Sequence, residues 1–316
     1  MARNRIRCAV IGVGYLGSLH AQKYAMLPEA DLVGVVDADF KRAEEVAAKV
    51  NTAAYRSYEE LFGKVDAVSI ATPTAYHHEA GAAFLSRGVD CLIEKPVTTT
   101  LEQAHSLVSL AAESGAILQV GHIERFNAAV AALDSRLSNV SFIHARRLSP
   151  FPNRSTDVDV ILDLMIHDID IVLNIVKSEV ASVDAVGSPL VSKMTDFASA
   201  RLTFVNGCKA DIVASRVSAE RERKILIFQA GQYLTVDCAN QTLCVSRPSH
   251  NDAAGEPAVS SEVITVEKRD ALLEEIRAFL GSSATRQRPV VTGEDAVAAL
   301  KVAEAVCASI EKNTVK

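Results

Sequence analysis

Val10-Ile11-Gly12-Val13-Gly14-Tyr15-Leu16-Gly17 is the stretch that decides the fold. It ends an apolar run, residues 6–11, that reads as a strand, and it opens a helical pattern over 16–27. A Gly-x-Gly-x-x-Gly motif is weak alone; between a strand and a helix that begin a parallel unit, it reads as a turn for the pyrophosphate of a dinucleotide. Gly12 suits the tight turn, Gly14 lets a phosphate reach the backbone where Tyr15 and Leu16 start the helix, and Gly17 lets helix and sheet close up. The helix N-terminus adds unbonded N–H groups and a partial positive charge. The plainer alternative is a glycine turn that merely packs. Asp37 lies 20 residues beyond Gly17, at the end of the next strand, where a carboxylate takes both ribose hydroxyls and repels a 2′-phosphate. NAD is expected rather than NADP, although Lys41 and Arg42 follow closely.

The same rhythm continues to residue 121. Strands are expected at 32–36, 67–71, 89–93 and 117–120, and helices at 41–50, 76–86 and 101–114. Ser57 with Glu60 resembles a capping box. The strands are continuously apolar, as they are when helices cover both faces of a sheet, so a doubly wound parallel sheet follows. After Gly121 the pattern changes. A strand at 142–147 and a long apolar helix at 160–176 lead into mostly strand-like text from 180 to 266. Gly207, Gly231 and Asn240-Gln241 fall where hairpin turns are needed. Residues 249–262 read as a loop, and helices at 269–280 and 294–310 close the chain, the second capped by Thr292. The expected fold is α/β, with an N-terminal Rossmann domain over 1–121 and an α/β domain with a large open, mostly antiparallel sheet over 122–316.

Composition narrows the function classes. A length of 316 residues suits two domains, and 49% hydrophobic with 23% charged residues is too apolar for disorder. A net charge of −6 argues against nucleic acid or an anionic membrane as the main partner. Cys8, Cys91, Cys208, Cys238, Cys244 and Cys307 are scattered without a C-x-x-C pair, so they read as reduced thiols, not as a disulfide scaffold or zinc knuckle. The basic, then apolar N-terminus is broken by glycines and lacks a cleavage site, and no apolar run reaches the ~18 residues of a membrane span. A cytoplasmic location is expected.

Two places could carry chemistry. Ile93-Glu94-Lys95-Pro96-Val97 follows a strand at the carboxyl edge of the parallel sheet, where ligands bind. A lysine there shifts its pKa readily when desolvated, and a cis Pro96 would lock the turn. Read alone, Lys95 could equally be a surface lysine. In the apolar helix, Asp163, His167, Asp170 and Asn174 are spaced i, i+4, i+7 and i+11, one stripe of polar groups that burial would penalise unless they are paired or face a cleft. His167 is the natural proton acceptor and Asp163 could orient it; a structural polar network is the alternative. No metal is expected, since there is no HExxH and no obvious third ligand.

Taken together, these residues resemble the glucose–fructose oxidoreductase / inositol dehydrogenase (Gfo/Idh/MocA) family. The resemblance rests on the glycine turn with Asp37, Ala71-Thr72-Pro73 followed by His77, Glu94-Lys95-Pro96, Gly121-His122 with Arg125-Phe126-Asn127, and Asp163 with His167. It implies that Lys95, Asp163 and His167 carry the chemistry and that Thr72, Pro73, His77 and Glu94 line the nicotinamide side. It also implies that His122, Arg125 and Asn127 meet the substrate, and that the open sheet serves a homo-oligomer, a dimer or tetramer. Met165 stands where many relatives carry glycine, so helix packing near the substrate should differ. The opening and the polar helix look most like members that oxidise a nucleotide-linked amino sugar, UDP-N-acetylglucosamine at its 3-hydroxyl, giving a 3-keto sugar for amination in lipid A or another surface glycan. Arg146, Arg147 and Arg154 around the loop before that helix suit a sugar diphosphate, or form an ordinary basic loop. A free polyol or monosaccharide dehydrogenase and a non-catalytic NAD-binding sensor are the alternatives.

Overall fold

A computed structural model describes residues 5–151, 158–250 and 257–313. The chain divides into two units, 1–123 with 270–297, and 124–269 with 298–316.

The first unit alternates strand and helix: β1 (Ile6–Ile11), α1 (Tyr15–Met26), β2 (Ala30–Val36), α2 (Phe40–Val50), β3 (Ala53–Tyr55), β4 (Ala67–Ile70), α3 (His77–Leu85), β5 (Asp90–Glu94), α4 (Leu101–Ser114) and β6 (Leu118–Gly121). The strands pair in parallel in the order β3-β2-β1-β4-β5-β6. The short β3 was not anticipated; it is only three residues and lies at the sheet edge. The order reverses between β1 and β4, so the loops after these two strands flank the crevice where open parallel sheets bind ligands. Ser57 and Glu60 do form a capping box, and Asp39 and Thr100 cap α2 and α4.

In the second unit come α5 (Ala128–Ala131), β7 (Val140–Leu148), a π-helical turn (Ile161–Met165), α6 (Ile166–Val176) and seven strands. These are β8 (Val180–Ser188), β9 (Phe197–Phe204), β10 (Lys209–Ser215), β11 (Glu222–Gln229), β12 (Gln232–Asp237), β13 (Thr242–His250) and β14 (Pro257–Ile264). The eight-stranded sheet runs β14-β13-β12-β11-β7-β10-β9-β8, and only β7 with β10 is parallel. Alternation along β9 and β10 turns Ala198, Ala200, Leu202, Ala210, Ile212 and Ala214 onto one face, where they share a core with Ile166, Ile169 and Val172. Met165 is fully buried in this core.

Two expectations need correcting. Residues 249–262, read as a loop, include the end of β13 and most of β14, paired from Leu243↔Ile264 to His250↔Pro257. An edge strand whose faces are both mostly solvated needs few apolar residues, so its polar composition hid it. The helices α7 (Ala271–Thr285) and α8 (Gly293–Asn313) were both placed in the C-terminal domain; instead Asp270–Val297 belongs with the first unit. The reason is apolar: Leu272, Ile276, Phe279 and Leu280 pack with Cys8, Val10 and Tyr24, and Lys23 pairs with Asp270 at 2.6 Å.

Candidate active-site residues

The turn after β1 is built almost wholly from backbone. Gly12 has φ +82°, and a Cβ there would lie 2.8 Å from Thr72. A Cβ on Gly17 would lie 1.8 Å from the Gly12 carbonyl oxygen, so the helix can approach the turn only because the side chain is absent. Gly14 begins α1 facing open space, no side chain caps the helix, and its first turn holds no acidic residue. Such a helix start accepts an anion without competition. Tyr15 is 70% exposed and Leu16 half-buried. The Thr72 hydroxyl, across the crevice after β4, is buried with no hydrogen-bond partner among the described residues. An open glycine cradle beside an orphaned hydroxyl fits a dinucleotide.

Asp37 follows β2 beside that turn. Its carboxylate accepts the Val13 N–H at 2.9 Å and the Asp39 N–H at 2.9 Å, which fixes its orientation. The Arg42 guanidinium stands 3.3 and 3.5 Å from the two oxygens, and its other nitrogen is 3.5 Å from Asp39.

After β5 the Lys95–Pro96 peptide is cis and Lys95 is half-buried. His77 was expected on the nicotinamide side; it is buried, with Nδ1 3.0 Å from the Pro96 carbonyl and Nε2 2.8 Å from the Thr72 carbonyl. It therefore braces one turn against the other. Burial lowers its pKa, while two facing carbonyls favour the doubly protonated ring. Glu94, from the same expectation, is also buried and meets His20 Nε2 at 3.0 Å, whereas Pro73 is exposed.

The polar helix of the second unit divides into two kinds of residue. Asp163 sits in the π-helical turn and His167 in the first turn of α6, and both are half-buried. The wider turn departs from the regular α spacing assumed for the stripe, a feature often found at functional sites. Asp170, on that stripe, is buried 3.8 Å from the Arg125 guanidinium, and Asn174 is half-buried. Asp168, which lies off that stripe, is buried and bidentate to Arg147, at 2.8 and 2.9 Å.

Several residues of the expected substrate set are engaged within the fold. Arg147 is 3% exposed and also donates to Glu124 at 2.7 Å. Burial opposes its charge, but Asp168 and Glu124 outweigh burial and raise its pKa, so its guanidinium is held as a buried cation between two carboxylates. Asn127 caps α5 through Ala129 N–H and donates to the Cys238 carbonyl at 2.8 Å, which spends its amide on the fold. Arg125 is buried beside Asp170, and His122 is buried at the end of β6. Arg146 is partly exposed and pairs with Glu222 at 3.3 Å; Arg154 lies outside the described residues. Glu124 and Asp168 had no local signal, because their shared arginine is 23 and 21 residues away.

Residues 6–122 match the model of an oxidoreductase family with an NAD-binding Rossmann fold, and residues 129–243 match the GFO/IDH/MocA C-terminal domain. The chain is 42% identical to UDP-N-acetylglucosamine 3-dehydrogenase of Acidithiobacillus ferrooxidans, over 97% of this chain and 99% of that one. It is 31% identical to scyllo-inositol 2-dehydrogenase (NAD(+)) of Bacillus subtilis, over 68% of each chain. A solved structure of the Acidithiobacillus ferrooxidans enzyme superposes with a TM-score of 0.93 at 40% identity, covering 98% of both chains. Likeness that runs nearly from end to end in sequence and fold, over a glycine cradle shaped for a dinucleotide, makes this chain a member of the Gfo/Idh/MocA oxidoreductase family.

Proposed function

We propose that this protein is an NAD-dependent dehydrogenase that oxidises the 3-hydroxyl of UDP-N-acetylglucosamine to a ketone, for amination in lipid A or another surface glycan. The observation that carries this reading is the 42% identity, over nearly the whole of both chains, to an enzyme of that name. A bound nicotinamide would supply the acceptor for the hydride of the sugar carbon. His167 takes the hydroxyl proton, Asp163 orients the imidazole, and Lys95 steadies the negative charge growing on oxygen. The half-buried state of all three supports this, since such groups are desolvated and still reachable. The cradle of Gly12, Gly14 and Gly17 holds the pyrophosphate, with Thr72 as a further donor.

Asp37 favours NAD, because its oriented carboxylate accepts ribose hydroxyls and repels a 2′-phosphate; Arg42 tempers that repulsion. Exposed Val186, Phe197 and Phe228 on the open sheet support a homo-oligomer, and free cysteines throughout support a cytoplasmic location. One observation favours a free polyol as substrate: Arg147 is committed to carboxylates, which removes one of the arginines that suited a diphosphate.

The test follows NADH absorbance with purified protein and NAD, offered UDP-N-acetylglucosamine, inositol or glucose, with a carbonyl trap to draw off the ketone. Turnover with the nucleotide sugar alone is expected. Turnover with a free polyol would replace the substrate and keep the residue roles. Tight NAD binding without turnover on any of them would count against catalysis.

A further inference from the structure

Inside the first unit lies a buried polar cluster that the dinucleotide chemistry leaves unused. It gathers His20 and Tyr24 from α1, Ser69 from β4, Glu94 from β5, Gln119 from β6 and Glu275 from α7. His20 Nε2 is 3.0 Å from Glu94 Oε1, its Nδ1 is 3.2 Å from the Ser69 hydroxyl, and that hydroxyl is 2.8 Å from the Tyr24 hydroxyl. One oxygen of Glu275, one of Glu94 and a ring nitrogen of His20 all lie within 4.8 Å of one another.

Glu275 is the anomaly. It is fully buried, and neither carboxylate oxygen has a hydrogen-bond partner among the described residues. Gln119 donates to the Glu275 backbone carbonyl, not to its side chain. Among the described residues the partner at hand, His20, already faces Glu94, so a second ionised carboxylate would stand beside the first with no hydrogen bond of its own. The other titratable groups nearby, Tyr24, Cys8 and Cys91, are neutral and kept so by burial. Burial first, and then the charge of Glu94, push the Glu275 carboxyl well above its ordinary range.

We infer that Glu275 carries a proton in the folded protein at neutral pH, and that this neutral carboxyl lets the Glu94 side chain sit beside it, meet His20 and fix the strand end that leads into Lys95. Glu275 is thus a positioning residue acting through Glu94. The link to catalysis rests on the proposed role of Lys95; the proton itself does not.

The sign follows from linkage. A carboxyl whose folded pKa is raised gives its full stability below the unfolded value and loses it as pH rises toward the folded one. Glu275→Gln, an uncharged mimic, should fold and should gain stability over the parent at about pH 9 while matching it at about pH 5. Calorimetric unfolding near neutral pH, in buffers of different ionisation enthalpy, should show the parent releasing about one more proton than E275Q. Equal proton release would overturn the inference. The parent alone supplies a second measurement: its infrared spectrum at neutral pH should contain a protonated-carboxyl band, absent after unfolding, and a missing band would overturn the inference even if E275Q failed to fold. Stoichiometric divalent metal in the purified protein, lost in E275Q, would also overturn it by putting a cation where the proton is assigned. With the sugar substrate, the alkaline fall of kcat should move to higher pH in E275Q; an unmoved fall would break the link to Lys95. Absence of turnover in the parent would count against the proposed function and leave the proton count standing.

Discussion

The turn after β1 and the helix α6 both offer polar groups in apolar surroundings, but they hold them by different means. The turn works through main-chain N–H groups and missing side chains: Gly17 lets the helix come within reach, and Gly14 leaves the cradle open. Helix α6 works through side chains, and each acid in it needs a partner supplied from elsewhere in the chain. Asp168 finds Arg147 on β7, and Asp170 finds Arg125 before α5. Asp163 and His167 stay half-buried just where the helix widens into a π turn. The lesson is that a backbone site is specified by a few glycines, whereas a side-chain site is specified by partners and burial that distant parts of the chain decide.

If that contrast is right, changes in the two regions should fail differently. The largest effect belongs to the half-buried groups assigned to the chemistry. His167→Ala and Lys95→Met should each lower kcat by roughly 10²–10⁴-fold while NADH binding, followed by fluorescence titration, stays near the parent's. A parallel loss of NADH affinity in His167→Ala would erase the distinction between binding turn and reacting helix. Next comes the committed arginine. Arg147→Met takes the bidentate partner from buried Asp168 and leaves Glu124 to the more exposed Arg223, 3.5 Å away, and should cost about 3–5 kcal/mol in urea unfolding. Adding Asp168→Leu should recover part of that loss, and no recovery would mean the pair is not the unit described here.

The turn should respond more modestly and in the opposite currency. Gly17→Ala forces a contact with the Gly12 carbonyl, so stability should drop by about 1–3 kcal/mol and NAD affinity by about tenfold or more. Unchanged NAD affinity in this variant would deny the close approach its purpose. His77 sets a small acid-side dependence of stability. Its folded pKa is lowered by burial, so its contribution is complete above the ordinary histidine value and is lost as pH falls through that value toward the folded one. His77→Gln should flatten that decline in a melting series; an identical slope would show that the two facing carbonyls, not burial, govern the ring. Smallest is Arg42→Ala, which should reduce kcat/KM with NADP several-fold and leave NAD nearly untouched, because only a 2′-phosphate needs the extra charge beside Asp37.

The same contrast explains what could be read from the sequence. Gly12, Gly14, Gly17 and Asp37 lie within one short stretch whose spacing mirrors their geometry, so the cradle and the parallel sheet around it were legible. The polar helix was legible as a stripe, because aspartate and histidine stand out among Ile, Leu and Val. Which of those acids is structural was not, since the answer depends on arginines 21 residues and more away in sequence. Arg146 and Arg147 are neighbours on a strand, and alternation alone sends one outward and the other into the core; the sequence gives no reason to choose between them until the strand's register is known. The polar edge strand β14 and the three-residue β3 escaped for the converse reason, that neither needs an apolar signature to exist.

The placement of α7 bears on how this chain can be made and cut. Neither unit is a contiguous piece of the polypeptide: the first takes back 270–297, and the second takes 298–316. During synthesis the face of Cys8, Val10 and Tyr24 has no Ile276 or Phe279 to meet until most of the chain has been translated. A fragment ending at residue 121 would carry the whole glycine cradle and still expose that unfinished apolar face, inviting aggregation. The glycine cradle and the apolar face behind it thus come early in the chain, whereas the helix that covers that face comes from Ala271–Thr285.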